Sequence, residues 1–128
     1  MAQVKIYGRR DVWDGRQREI SDLVHRCLVT AWRLPEDKRF HRFLLLDPAD
    51  LICPQRGERY LILEIICFTG RSDEAKRALI RSLYATLVPA LDLSTDDLEL
   101  TIIEMPQVNW GIRGVPGDEL MLSYSVRV

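Results

Sequence analysis

The side chains that most often carry catalysis are few in this sequence. No serine, histidine and aspartate have the spacing of a hydrolytic triad, no segment is a phosphate-binding loop, and no cluster of metal ligands occurs. We therefore expect neither a cofactor nor a metal. The remaining candidate functional side chains are arginines in predicted turns: Arg9, Arg10 and Arg71. A guanidinium can donate two parallel hydrogen bonds to a carboxylate, and it can equally be a solvated surface group, so residue type alone does not select between these roles.

The composition is that of a small globular protein. The 128 residues are 47% apolar, which is enough for one hydrophobic core, and we expect a single domain over 1–128. Eighteen Lys and Arg residues against 19 Asp and Glu residues do not favour nucleic acid or a membrane surface as a partner. Cys27, Cys53 and Cys67 are an odd number without C-x-x-C spacing, and the first residues lack the apolar run of a secretory signal. Both features predict a reducing, cytoplasmic location.

The chain contains an internal repeat. A shift that places Ile6 on Ile65 also aligns a set of further identical residues: Asp14 with Asp73, Arg18 with Arg77, Leu28-Val29 with Leu87-Val88, and Leu34 with Leu93. The repeats span about 3–46 and 60–105, with a connector over 47–59 and a tail over 106–128. A period of this kind governs the whole fold, so the two halves are expected to share one architecture.

Each repeat has the pattern of a strand, a helix and a second strand. The predicted strands cover 3–7, 40–46, 60–68 and 98–105, and the predicted helices cover 16–33 and 73–91. Leu34-Pro35 ends the first helix, since the residue before proline is disfavoured in the α region. Ser72 is a favoured N-cap for the second helix. Leu51–Cys53 in the connector is a candidate short strand.

Two β-α-β units predict an α+β fold with a four-stranded mixed sheet and two helices on one face. The strands of each unit should be parallel, because a helical crossover joins them. The segment 61–66 is apolar on both faces, which predicts that other subunits cover the side of the sheet away from the helices. The tail has a Gly/Pro turn at 114–117 and alternating apolar residues over 120–128, so we expect a C-terminal strand or hairpin.

Several segments together resemble one known family. They are the Gly70–Lys76 segment that opens the second helix, Ile103–Pro106 at the end of the last core strand, and Asn109–Ile112 after it. With the duplication, they are similar to the tautomerase superfamily, and its double-length branch, which includes malonate semialdehyde decarboxylase, matches best. The resemblance implies a tautomerase-like fold and a homotrimer. It also implies a pocket at a subunit boundary that binds a small carboxylate or keto acid.

The family's chemistry depends on an N-terminal proline, which removal of the initiator methionine exposes. Its amine lies beside arginines in an apolar pocket and acts as a base in tautomerases and as an acid in the related decarboxylases and dehalogenases. This chain begins Met1-Ala2 instead. Alanine still permits removal of Met1, which would leave Ala2 with a primary amine of reference pKa about 8. We therefore predict Ala2 as the candidate acid, base or Schiff-base group.

The resemblance also assigns substrate-binding residues. Arg71 matches an arginine that holds the substrate carboxylate, and Trp110 matches an aromatic residue of the pocket. His25 falls where dehalogenase-like relatives keep an active-site histidine. Lys38 falls where the decarboxylases use an acidic residue, so the charge at this position is reversed here. Thr69 falls where that branch has a second substrate-binding arginine. For each residue a structural role is the alternative: Lys38 as a surface charge, for example, and His25 as a histidine beside the helix core.

Three functions stay open on the sequence alone. The first is an enzyme of the tautomerase (isomerase) or decarboxylase-like lyase type that uses Ala2 and Arg71 on a small keto or enol acid. The second is a homotrimeric small-molecule binder that has lost the proline-dependent chemistry. The third is an unrelated dimeric α+β barrel with ferredoxin-like connectivity, which a solution mass of three subunits would exclude.

Overall fold

The computed structural model describes residues Met1–Val128 and contains the two predicted β-α-β units. In chain order the longer elements are β1 (Ala2–Arg9), α1 (Arg10–Trp13), α2 (Gln17–Trp32), β2 (His41–Leu46), β3 (Leu61–Phe68), α3 (Asp73–Ala90) and β4 (Leu98–Met105). A short hairpin, β5 (Gly111–Ile112) and β6 (Val115–Pro116), follows. None of the helices has the length and apolar character needed to cross a membrane.

The four long strands form one mixed sheet in the order β2-β1-β3-β4. β1 is parallel to β2, β3 is parallel to β4, and the two units meet through the antiparallel pair β1 and β3. This topology confirms the predicted mixed sheet. The antiparallel register places Ala2 opposite Cys67, so the start of the first unit lies against the end of the first strand of the second unit.

The core lies between one face of the sheet and the helices α2 and α3. The buried residues on the inner face of each helix recur one or two turns apart: Ile20, Val24 and Leu28 on α2, and Leu79, Leu83 and Leu87 on α3. The Ser72 side chain caps α3 by accepting a hydrogen bond from the amide of Ala75 at 3.1 Å, as predicted. The 3.6-residue periodicity of the sequence therefore specified both helices correctly.

The opposite face of the sheet is a mixture of apolar and polar residues. Ile62, Ile66 and Ile103 are half-buried there, while the Tyr7 hydroxyl donates to Glu64 at 2.6 Å. The face is therefore less uniformly apolar than the isolated run of β3 indicated. Cover by other subunits stays a prediction.

Two local features differ from the sequence predictions. The segment after β1 forms the one-turn helix α1 rather than a loop, and it buries Trp13 completely beside Gly8, where an added Cβ would lie 2.7 Å from the indole. Four residues are too few to show a helical period, so the pattern could not reveal α1. The candidate strand Leu51–Cys53 is wrong, because this segment is an unpaired loop after a 3₁₀ turn that begins at Pro48.

The tail forms the hairpin of β5 and β6, which is one of the two predicted alternatives. Residues 120–128 then run without strand pairing, although their side chains alternate between half-buried and exposed as the sequence indicated. Tyr124 and Val128 pack against the core. Alternation predicts which side chains point inward, but it does not supply a hydrogen-bonding partner for the backbone.

Candidate active site

The amino terminus lies inside the protein, at the start of β1. Met1 and Ala2 are both buried, and the Met1 carbonyl accepts a hydrogen bond from the amide of Phe68 at 3.3 Å. Ala2 is the next residue along and faces Cys67 across the sheet. The strand pairing therefore fixes the position of the terminal amine.

The terminal amine has an unusual electrostatic environment. It donates a hydrogen bond to the hydroxyl of Tyr124. Burial, reinforced by the positive charges of Arg71 and Lys38, lowers the pKa of this amine to about 5. At neutral pH the amine is therefore uncharged, and its lone pair is able to accept a proton.

Arg71 is a buried arginine without an acidic partner. Its side chain follows Gly70, whose φ of 149° favours glycine, and precedes the helix cap Ser72. Only 4% of the residue is exposed, and its guanidinium lies 4.7 Å from the centre of the Trp32 ring. Nη1 donates to the carbonyl of Phe68 at 3.2 Å, while Nε and Nη2 are buried and have no partner. Burial lowers the pKa of Arg71 as well.

An unpaired edge on a buried cation is costly, because each buried N–H group without a partner loses its hydration. Nε and Nη2 of one guanidinium form an edge that matches the two oxygens of a carboxylate. The arrangement can therefore hold a small acid next to an uncharged amine. No salt bridge within the chain competes for this edge of Arg71.

A small, partly open cavity of about 40 Å³ adjoins the amine. Its walls are formed by the amino terminus, two cationic side chains and the tail: Met1, Lys38, Arg113, Met121, Leu122, Ser123 and Tyr124. Lys38 therefore lies at the cavity, and its ion pair with Asp37 is long, at 3.9 Å. No acidic side chain lines the cavity.

Trp110 lies outside these walls. Its ring packs edge-on against Phe68 at 5.1 Å between centroids, and the indole nitrogen is buried without a partner. It also borders a separate open depression formed by 108–116. Because Phe68 accepts the hydrogen bond from Arg71, Trp110 supports the backbone that orients this arginine.

His25 belongs to a second polar cluster, between α2 and the start of β2. Its Nε2 donates to the carbonyl of Glu36 at 2.9 Å, and its ring lies edge-on to His41 at 5.9 Å. The Nδ1 atom of His41 is 2.7 Å from the Ser21 hydroxyl. Burial, with contributions from His25 and Arg39, lowers the pKa of His41 to about 4. His25 ties down the segment that leads to Lys38 and is not a wall of the cavity.

Sequence reasoning missed three neighbours of the amine. Arg113 and Tyr124 come from the tail, and Cys67 was interpreted only as a buried apolar residue. Cys67 is fully buried, and burial raises the pKa of its thiol. Strand pairing could have indicated Cys67, since it faces Ala2, but no local pattern connects the tail to the amino terminus.

Comparisons with known proteins point to one family. A family model described as tautomerase enzyme matches residues 38–113. The chain is 37% identical to a 2-hydroxymuconate tautomerase of Comamonas testosteroni over 57 residues, which cover 44% of this chain and 90% of that protein. It is 36% identical to a probable tautomerase of Ralstonia nicotianae over 55 residues, 43% of this chain and 79% of that protein.

Solved structures match over most of the chain. A malonate semialdehyde decarboxylase inhibited by 3-bromopropiolate superposes with a TM-score of 0.76 and 25% identity, covering 85% of this chain and 87% of that one. A fused 4-OT superposes with a TM-score of 0.82 and 22% identity, covering 92% and 98%. Another fused 4-OT, an asymmetric trimer, gives 0.81 and 21% identity, covering 91% and 96%.

Proposed function

The chain belongs to the tautomerase family, and from that membership we propose that it binds a small carboxylate or keto/enol acid beside its N-terminal amine, which serves as the acid/base group. The observation that carries this proposal is the pairing of an uncharged buried amine with the open edge of Arg71. The activity class is tautomerisation, an isomerase reaction, with decarboxylase-like lyase chemistry as the second possibility for the same groups.

Arg71 holds the substrate carboxylate through Nε and Nη2 in this proposal. The carboxylate satisfies the two unpaired donors and neutralises the buried charge, so binding removes a cost that the free protein carries. The substrate is thereby oriented with its enol or α-carbon towards the amine. The amine lone pair accepts a proton from the enol oxygen or the carbon, and the resulting ammonium returns a proton to the other position.

Met1 is removed in the proposed active form. The amine then belongs to Ala2, about 3.3 Å further along the strand, opposite Cys67 and away from Tyr124. Burial and the charge of Arg71 also act on an amine at this position, so its pKa is expected to stay depressed. Lys38 and Arg113 line the cavity in front of it and favour an anionic substrate, and Trp110 acts through Phe68 rather than by direct contact.

The proposed assembly is a homotrimer with the pocket at a subunit boundary. Support comes from fused 4-OT proteins described as trimers, which share this fold. Half-buried isoleucines on the face of the sheet away from the helices, such as Ile62 and Ile66, also favour cover by another copy. The expected location is the cytoplasm. Sedimentation equilibrium at several protein concentrations tests the trimer, and a dimeric mass would contradict it.

A binder without turnover is the second candidate function. It is favoured by the residue at position 2, since Ala2 lacks the secondary amine that the family resemblance associates with catalysis. Lys38 in place of an acidic residue points in the same direction for decarboxylase chemistry. Such a protein keeps Arg71 for binding a carboxylate and has no proton-transfer cycle.

Ketonisation of phenylenolpyruvate tests the two candidates, with the N-terminal residue of each sample read by mass spectrometry. We expect turnover by Ala2-terminated protein and a kcat/KM that falls as the pH is lowered through the depressed pKa of the amine, because a general base must be unprotonated to act. Turnover without this pH dependence would contradict the role of the amine. The variant Ala2→Pro separates the candidates, because strong activation of an inactive protein identifies a binder whose remaining site is intact.

A further inference from the structure

The last nine residues lie over the amine pocket without belonging to the sheet. Leu120, Leu122, Tyr124, Val126 and Val128 face inward, and the residues between them are exposed. No strand pairs with this segment, and few hydrogen bonds connect it to the rest of the chain. A segment held by so few bonds belongs to the least stable part of a fold and can open independently.

Besides the packing of Tyr124 and Val128 against the core, three contacts tie the segment to the proposed site. The amine of Met1 donates to the Tyr124 hydroxyl. The Ser72 hydroxyl donates to a backbone oxygen of Val128 at 3.2 Å. Val126 lies directly on Gly70, where an added Cβ would meet the Val126 carbonyl oxygen at 3.0 Å. The contacts therefore involve the amine itself and the two residues that flank Arg71.

The cavity beside the amine gives little access to Arg71. Its volume is about 40 Å³, and Arg71 is not among the residues that line it. The open edge of Arg71 is buried, with only 4% of the residue exposed. A carboxylate can reach this edge only if part of the cover moves.

We infer that residues 120–128 form a strap that closes the amine pocket, with the hydroxyl of Tyr124 as its latch and the amine of Met1 as the group it fastens to. Removal of Met1 withdraws that partner, so a chain without Met1 lacks the latch. The role of the strap as a gate for the substrate rests on the proposed function. Its closure over the amine is a property of the fold and can be measured without turnover.

Reaction of the terminal amine with trinitrobenzenesulfonate measures closure directly. The reference pKa of an α-amino group lies well below that of a lysine side chain, so an accessible terminus reacts first at neutral pH. The protein is prepared with Met1 retained, by inhibiting methionine aminopeptidase during expression, and modification of the N-terminal peptide is followed by mass spectrometry. We expect Tyr124→Phe to react about fivefold faster than the unsubstituted chain, the effect of losing one hydrogen bond.

Tyr84→Phe is the matched control, because the Tyr84 hydroxyl also donates a partly buried hydrogen bond, to the Leu98 carbonyl at 2.6 Å, but lies far from the strap in the chain. It should react at the unsubstituted rate. Val126→Ala, which loosens the contact with Gly70, should accelerate the reaction, and Met1-free protein should react at least as fast as Tyr124→Phe. Equal rates for Tyr124→Phe and Tyr84→Phe, or fast reaction of the unsubstituted Met1 form, would overturn the strap. If the labelling rates follow the expected order in a protein that shows no turnover, the proposed function is rejected and the strap is retained.

Discussion

The end of β1 and the end of β3 correspond in the two repeats, and arginines with different surroundings lie at or just beyond each. At the end of β1, Arg9 forms a two-point ion pair with Asp11, at 2.6 and 3.0 Å, and Arg10 donates to the carbonyl of Leu45 at 2.7 Å. After β3, Arg71 is buried, makes one bond to a carbonyl and leaves two donors unpaired. The arginines lie near corresponding strand ends, but Arg71 aligns with Val12 in the repeat, and its hydrogen bonding differs from that of Arg9 and Arg10.

This difference separates a structural arginine from a binding arginine. Arg9 and Arg10 find their partners within their own unit and stay accessible to water, so they have no unmet hydrogen-bonding capacity. Arg71 pays a desolvation cost that only an incoming anion can offset. The two segments therefore provide an internal control, because an arginine near the corresponding strand end of each repeat can be given the same substitution in one molecule.

The largest expected effect is on turnover or binding of the substrate. Arg71→Ala should lower kcat/KM for phenylenolpyruvate by roughly 100-fold or more, since it removes both donors to the carboxylate. Arg10→Ala should leave this value unchanged. If Ala2-terminated protein does not turn over, binding of phenylpyruvate measured by calorimetry replaces the rate, with the same expected contrast. Equal losses in the two variants would show that Arg71 acts through the fold.

A smaller and opposite effect is expected on stability. Arg71→Met replaces an incompletely paired buried cation with an apolar side chain of similar length, and should raise the free energy of unfolding by about 2 kcal/mol. Urea denaturation at one fixed protein concentration measures the change, because oligomerisation couples stability to concentration. Arg10→Met, whose side chain is largely exposed, should leave the midpoint unchanged. A loss of stability in Arg71→Met would identify Arg71 as a structural residue.

The smallest effect belongs to the exposed ion pair. Arg9→Ala should shift the urea midpoint only marginally at low salt and not at all in 1 M sodium chloride, because salt screens exposed charges. A large shift that persists in high salt would mean that the turn after β1 has a structural importance that its exposure does not indicate. It would also weaken the comparison with Arg71.

The sequence was a good guide to the sheet and the two long helices. Ile20, Val24 and Leu28 recur at helical spacing, and β4 was predicted with the bounds it has, because each pattern reports burial of one face. The helix α1 was missed because one turn is too short to show a period. Over 120–128 the pattern was read correctly for burial, but burial alternation carries no information on backbone partners.

The candidate site was predicted only in part. The family resemblance directed attention to Ala2, Arg71 and Lys38, which the fold brings to one end of the sheet. Tyr124 and Arg113 could not be found in this way, since they reach the amine through the path of the tail. His25 and Trp110 do not line the cavity. His25 contacts the backbone of Glu36, and Trp110 packs against the ring of Phe68.

The duplication has a consequence for redesign of the chain. β1 and β3 begin alike, but the nitrogen of Leu61 is an internal amide, so two fused units present one terminal amine between them. Cutting the chain just ahead of Leu61 would create a second amine. Leu61 pairs with Leu98, and the next residue of β4, Glu99, forms an ion pair with Arg56 at 2.8 Å, so this end of the sheet carries a carboxylate. A nearby carboxylate favours the charged ammonium, so the new amine would be a poor base. A circular permutant that begins at Leu61 would therefore exchange a reactive terminus for an inert one.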